Sequence, residues 1–296
     1  MNELRPTKLK DIVGQDNVKE CLDISIEAAK HKGKPLSHLL FDGPPGTGKT
    51  TIANAIANEM GSDIHIANGA NLRQIKNILP YFSKLKAGDV LFIDEIHRMT
   101  TVVDEMLYPV MEDFRADIET EGQVLSMPVE PFTLIGATTD GGALSPPLYD
   151  RFGLKHHLTI YTHTELSGLI KANLTILGIN INDDAANNLS QRSRGTPRIA
   201  NNLLRWVHDY CITKSISNIN SGHITAAMDI INVDEKGLDD QDRRYLAVLK
   251  MIGKPVGLKT LVASTNINED TITTQIEPFL LREGVIARLA KGRVML

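Results

Sequence analysis

Short, nearly uninterrupted apolar runs punctuate the first half of the chain: His38–Phe41 (HLLF), Ile64–Ala67 (IHIA), Val90–Ile93 (VLFI) and Phe132–Ala137 (FTLIGA). Runs of this length without polar alternation suit strands covered on both faces, as in a parallel sheet between helices. After the first run, Ile52, Ala53, Ile56, Ala57 and Met60 share one face of a helix over Thr50–Met60, which Gly61 stops. The pattern predicts an α/β, doubly wound domain.

From about Thr159 the strand signals cease. Glu165–Leu177, Asp183–Ser193, Pro197–Ser215 and Ile224–Ile231 have helical patterning, punctuated by Gly178, Gly195 and Gly222. Thr196 is placed to cap the third of these, and Pro197 suits its first turn. A charged connector, Asp234–Asp242, leads to a last segment. There Tyr245, Leu246, Leu249 and Ile252 form one helix face, Leu258–Ala263 a short helix, and Ile272, Ile276, Phe279 and Leu280 a third. Val285–Leu289 and Arg293–Leu296 flank Ala290-Lys291-Gly292 as a hairpin. Three helices and a β-hairpin describe a winged helix. The expected organisation is a large nucleotide-binding domain over 1–158, a small helical lid over 159–233 and a winged-helix domain over 234–296.

Composition changes this picture little. At 296 residues, with 42% hydrophobic and 23% charged residues, the chain reads as soluble and globular. No apolar run is long enough for a transmembrane helix, and the charged start MNELRPTKLKD lacks a secretory h-region. Cys21 and Cys211 have no metal-like spacing and read as buried, reduced thiols in a cytoplasmic protein. The net charge of -4 argues at first against a nucleic-acid partner. Its distribution softens that, since residues 241–296 carry 9 Lys and Arg against 5 Asp and Glu.

The chemistry concentrates in a few motifs. Gly43-Pro-Pro-Gly-Thr-Gly-Lys49-Thr50 matches G-x-x-x-x-G-K-[ST] in full, after a strand and opening a helix. Such a loop cradles phosphates with backbone N–H groups. Lys49 would reach the β- and γ-phosphates of ATP, and Thr50 would hold Mg²⁺. Val90–Glu95 is an apolar strand ending in two carboxylates: Asp94 to support Mg²⁺ and Glu95 to polarise the attacking water. His97 reads as a polar loop residue. Thr138 and Thr139 end another buried strand, where a hydroxyl could reach the γ-phosphate or simply satisfy the strand terminus. Arg151 follows a Pro-rich stretch and reads either as a partner for Asp150 or as an arginine finger. Arg198, at a helix start that disfavours a cation, could sense nucleotide. Arg282, Arg288, Lys291 and Arg293 crowd the last fifteen residues with only Glu283 opposing them, as a backbone-binding wing would require. Aromatic residues are 5% of the chain and none lies in the wing, which favours duplex over stacked single strands.

Taken in order, Leu4-Arg5-Pro6, Val13-Gly14-Gln15, GPPGTGKT, LFIDEIHR, LIGATT, DRFG, GTPRIANNLLR and GKPVGL make a set. Over nearly the whole chain it resembles the RuvB family, the bacterial Holliday-junction branch-migration motors of the AAA+ class. The resemblance implies a nucleotide loop at Gly46, Gly48, Lys49, Thr50 and Thr51, and a Walker B pair at Asp94 and Glu95. It implies a first sensor at Thr139, an arginine finger at Arg151 acting on a neighbour's ATP, and a second sensor at Arg198. Leu4, Arg5 and Tyr161 fall where the family holds the adenine end of the nucleotide, and Arg288 and Arg293 on its DNA-contacting wing. It further implies a homo-hexameric ring working on duplex DNA at Holliday junctions with RuvA as loading partner, and RuvC in the resolving complex. Some positions depart from the family pattern. Asp140 stands where Arg is usual after ATT, and Glu269 where Arg often precedes the third winged-helix helix. The RuvA-gripping hairpin over 114–130 is short, keeping Ile118, Val124, Leu125, Met127 and Val129, and the sequence stops at Leu296 without the usual tail. A clamp-loader-like or protein-remodelling AAA+ ATPase is the alternative on the motor residues alone, and a winged-helix regulator using nucleotide as a switch is the non-enzymatic one.

Overall fold

The computed structural model describes residues 4–120 and 123–296, without the side chains of Glu119, Thr120 and Val124. It divides into two units, one of residues up to Tyr161 with Thr196–Arg198, the other of Thr162–Gly195 with Ile199–Leu296.

In the first unit α1 (Asp16–Lys32) leads to β1 (Leu39–Asp42), the phosphate-loop glycines and α2 (Lys49–Met60). Then come β2 (Ile64–Asn68), α3 (Ile75–Phe82), β3 (Val90–Asp94), α4 (Thr101–Asp113), a hairpin of β4 (Arg115–Thr120) and β5 (Gln123–Pro128), β6 (Thr133–Thr138), α5 (Pro146–Arg151) and β7 (Leu154–His157). Five strands pair in parallel in the order β2-β3-β6-β1-β7. Successive side chains of the central strands β1, β3 and β6 enter opposite cores. Leu40, Leu91, Ile93 and Leu134 meet α3 and α4 on one face. Leu39, Phe41, Val90, Phe92 and Ile135 meet α1 and α2 on the other. Both faces of these three are therefore dry, which is why they read as continuous apolar runs, whereas β2, read as the same kind of strand, lies at the sheet edge with Ile66 51% exposed. The edge strand β7 alternates half-buried and exposed positions over LKHH and carries no such run.

In the register, Asp42 lies opposite Thr138, and Ile93 opposite Gly136. The carboxyl ends of β1, β6 and β3 thus stand side by side, the place where open α/β sheets bind ligands.

The β4–β5 hairpin pairs Arg115 with Pro128 at its base and Thr120 with Gln123 near its tip. Its apolar side chains are not equivalent. Val129 is only 6% exposed and belongs to the core with Ala116, and Ile118 and Met127 pack against that core. Val129 is therefore a packing residue rather than a partner contact. Leu125 stands out at 66% exposure, and the side chain of Val124 lies outside the described residues.

The second unit starts with α6 (His163–Ile176), β8 (Asn180–Ile181), α7 (Asp183–Arg192), α8 (Pro197–Thr213), β9 (Asn218–Ile219) and α9 (Ser221–Ile230). The two-residue strands β8 and β9 pair in parallel, a small exception to the all-helical expectation. Next come α10 (Asp240–Ile252), α11 (Leu258–Thr265) and α12 (Glu269–Thr271). A π-helical stretch, Ile272–Ile276, joins α12 to α13 (Glu277–Arg282). Pro278, which lacks an N–H, lies just beyond the π stretch, where the α ladder is interrupted. The antiparallel wing of β10 (Ile286–Leu289) and β11 (Gly292–Met295) completes the winged helix. Gly292 is required at the wing's turn: at φ 137° a Cβ there would sit 2.3 Å from the Val256 carbonyl oxygen.

Of the two cysteines, Cys211 is buried as expected, whereas Cys21 is exposed on α1. Among the described residues no helix is long and apolar enough to cross a membrane.

Candidate nucleotide site and DNA-facing wing

The phosphate loop connects β1 to α2 through three glycines at positive φ, Gly43, Gly46 and Gly48. Gly43 has no room for a side chain, since its Cβ would lie 2.3 Å from the Leu158 carbonyl oxygen. Lys49 opens α2 and is buried. Its Nζ donates to the carbonyl oxygens of Gly43 at 2.6 Å and Pro44 at 3.0 Å, so the ammonium sits inside its own loop. Burial lowers its pKa, while the charges of Glu95, Asp94 and Asp42 pull the other way. Thr50 and Thr51 follow on the first turn of the helix, both partly buried.

Asp94 ends β3, and its Oδ1 accepts the backbone N–H of Glu95 at 3.1 Å. Burial, and then the neighbouring Glu95 carboxylate, raise the Asp94 pKa. A cation at this carboxylate would relieve both effects. The hydroxyl of Thr50 and the carboxylate of Asp94 are both oxygen donors, the chemistry a hard ion such as Mg²⁺ prefers. These residues fit that ion.

Glu95 stands on left-handed backbone at φ 49°. Its Oε2 accepts the Thr139 hydroxyl at 3.0 Å and lies 3.3 Å from Nδ1 of His97. The same His97 nitrogen is 2.9 Å from the hydroxyl of Thr138. His97 is thus not a passive loop residue but a neighbour of the Glu95 carboxylate. Its only signal in the sequence was its place two residues after Glu95.

Tyr161, buried, donates its hydroxyl to the Thr47 carbonyl at 3.2 Å. Leu4 is buried and Arg5 exposed at the start of the described chain. Arg198, the second residue of α8, places its backbone N–H 3.4 Å from the Gly46 carbonyl, and its charge is felt by Lys49 and Asp94. Arg151 does not pair with Asp150. Its Nε is 3.1 Å from Glu112, its Nη1 donates to the Pro147 carbonyl at 2.8 Å, and its guanidinium lies 4.4 Å above the Tyr108 ring. Glu112 sits on α4, 39 positions away in sequence, which hid this partner.

The wing arginines are also more engaged than their sequence cluster suggests. Glu277, fully buried, gathers both. Arg288 donates to its Oε2 from Nε at 2.9 Å and also from Nη2, while Arg293 donates to Oε1 from Nε at 2.8 Å. Tyr245 donates its hydroxyl to Oε1 at 3.0 Å. Burial alone would raise the Glu277 pKa, but the donors, Arg293 first, hold it below the usual glutamate value. Arg293, 16% exposed, spends most of its guanidinium on Glu277 and leaves a small part of it at the surface of the wing. Arg288 remains 49% exposed and Lys291 is exposed at the turn, so these two are the most accessible basic side chains of the wing. Arg282 pairs with Glu283 and donates to the Arg194 carbonyl at 3.0 Å.

Three family profiles cover nearly the entire chain: the Holliday junction DNA helicase RuvB P-loop domain over residues 4–158, the RuvB AAA lid domain over 161–234, and the RuvB C-terminal winged helix domain over 235–295. The chain belongs to the RuvB family. Its RuvB relatives include the Holliday junction branch migration complex subunit RuvB of Rhodopirellula baltica, 45% identical over 98% of this chain and 81% of that protein. The corresponding subunit of Fervidobacterium nodosum is 46% identical over 98% of this chain and 86% of that protein. Among solved structures, the Thermotoga maritima RuvB Holliday junction branch migration motor superposes with a TM-score of 0.88 at 41% identity, over 99% of this chain and 96% of that one. As in that family, this chain is a P-loop AAA+ protein with lid and winged helix, and it binds nucleotide.

Proposed function

We propose that this RuvB-family chain hydrolyses ATP to drive branch migration of Holliday junctions in recombination and repair. The observation that carries the proposal is membership of all three domains in that family, in order, with the phosphate loop, Asp94, Glu95 and Thr139 gathered at one end of the sheet.

In this reading Lys49 turns from the loop carbonyls to the β- and γ-phosphates, and the loop N–H groups bind the remaining oxygens. Thr50 and Asp94 would hold Mg²⁺, whose charge would offset that developing on the phosphates. Glu95 accepts a proton from the attacking water while Thr139 orients it. Arg198 neutralises phosphate charge, Leu4, Arg5 and Tyr161 hold the adenine end, and Gly46, Gly48 and Thr51 shape the cradle. Arg151 completes a neighbour's site in a homo-hexamer, which makes hydrolysis depend on assembly. The winged helix, through Arg288, Lys291 and Arg293, grips duplex backbone without reading bases. The domain limits of 1–158, 159–233 and 234–296, RuvA as loading partner, RuvC in the resolving complex, and a cytoplasmic location belong to the same proposal.

Steady phosphate release tests the enzymatic part. Duplex DNA should stimulate turnover, Lys49→Ala should abolish it, and Glu95→Gln should bind ATP yet hydrolyse it at least about 100-fold more slowly. A single turnover per chain, unaffected by DNA, would instead favour a nucleotide switch.

A further inference from the structure

The geometry points to His97 as the positioning residue for Glu95: it holds the carboxylate against the end of β6 so that the base keeps one orientation through the cycle. The inference rests on Glu95 being the base. The Glu95 main chain is already pinned, because its left-handed backbone is packed against Gly69, where a Cβ would come within 2.3 Å of the Glu95 carbonyl oxygen. Its side chain is held from two sides. Thr139 donates to Oε2 at 3.0 Å, and His97 Nδ1 lies 3.3 Å from the same oxygen.

His97 is anchored in turn. It occupies the turn Ile96–Arg98 after β3, and its Nδ1 is 2.9 Å from the Thr138 hydroxyl. Thr138 is fully buried, and its oxygen also accepts the Asp140 N–H at 3.0 Å, so it cannot drift. The Thr138 hydroxyl is the hydrogen-bond partner of Nδ1, and the Glu95 carboxylate a close polar neighbour that favours the proton on that nitrogen. A carboxylate oxygen only accepts, so a bare Nδ1 lone pair facing Oε2 would repel it. With the proton on Nδ1, the ring donates to Thr138 and keeps the same N–H close to the Glu95 carboxylate. One ring atom therefore ties the loop after β3 to the end of β6, and sets the spacing between Glu95 and Thr139. Because the Thr139 hydroxyl and the His97 ring both lie against Oε2, Oε1 is left to take the proton from water.

The role belongs to one atom, and substitutions can isolate it. In asparagine the side-chain nitrogen stands at the same number of bonds from the backbone as Nδ1, whereas in glutamine it stands one bond further out. The test measures ATP turnover and the binding of a fluorescent ATP analogue for His97→Ala, His97→Gln and His97→Asn in the full chain. Removing the 3.3 Å contact to the carboxylate, and the tie to Thr138 that orients it, lowers kcat by about tenfold or more in the alanine and glutamine variants. Nucleotide affinity stays within about twofold, since the phosphate loop is untouched, and this retained binding also reports folding. His97→Asn recovers most of the lost turnover. In a Glu95→Gln background, His97→Ala produces no further loss, because both act through one group. Full turnover in His97→Ala, or equal losses in the asparagine and glutamine variants, overturns the inference. The two failures are distinguishable. Normal turnover in Glu95→Gln removes the underlying reading, whereas slow Glu95→Gln with normal His97→Ala removes only the role of His97.

Discussion

Replacing Glu277 with glutamine exchanges one oxygen for an NH₂ group in the core of the winged helix. The side chain is fully buried and surrounded by donors: Tyr245, Arg288 and Arg293. An amide can satisfy only part of that set, and its NH₂ must face a guanidinium. Breaking a buried ion pair by removing one partner costs about 3–5 kcal/mol. Arg288, half exposed, can rehydrate, but Arg293 at 16% exposure cannot, so the lower end, about 3 kcal/mol, applies. For a unit of this size that is a fall in Tm of roughly 10 °C. Thermal unfolding of the parent and Glu277→Gln, followed by circular dichroism, measures it. The pH dependence follows from the lowered Glu277 pKa. The stabilisation is fully present above the ordinary glutamate pKa of about 4.3 and is lost as pH falls through the lower folded value. The gap between the two proteins should therefore be constant near neutrality and close in acid. A variant melting within about 2 °C of the parent at neutral pH, or a gap that persists in strong acid, would refute this account of the wing.

Other consequences are simpler to measure. Mixing Arg151→Ala with Lys49→Ala protein should restore turnover at hybrid interfaces if Arg151 serves a neighbour; mixtures as inactive as each parent would contradict action in trans. Gly43→Ala places a Cβ against the Leu158 carbonyl at a positive φ, a strain of about 1–3 kcal/mol, and should lower both Tm and nucleotide affinity. A variant that melts and binds normally would show that the loop has another accessible path. Lys291→Ala should reduce the salt dependence of DNA binding by about one unit with Tm unchanged, and an unaltered slope would remove Lys291 from the interface.

Much of the fold was legible because its causes are local. The strands β1, β3 and β6 are dry on both faces and so read as apolar runs, and the phosphate loop is a contiguous string of residues whose spacing is its mechanism. β7, at the sheet edge, leaves half of its residues wet and has no such signature. The two-residue β8 and β9 are too short for any pattern. What the sequence could not display was pairing at a distance. His97 meets Thr138, Arg151 meets Glu112, and Glu277 meets Arg288, Arg293 and Tyr245 only once the chain is folded. For that reason a run of C-terminal basic residues reads as a uniform surface, although Arg288 and Arg293 share a buried carboxylate and differ in exposure. Val129 misleads in the same way, since an apolar residue beside a hairpin gives no sign of which side it faces.

The central claim is tested most directly by incubating a synthetic four-way junction with the purified protein, RuvA and ATP, and following its conversion to duplex products. The account predicts ATP-dependent conversion that needs RuvA, is lost in Lys49→Ala and is slowed in Glu95→Gln. Junctions left intact under those conditions, by protein that hydrolyses ATP normally, would contradict it.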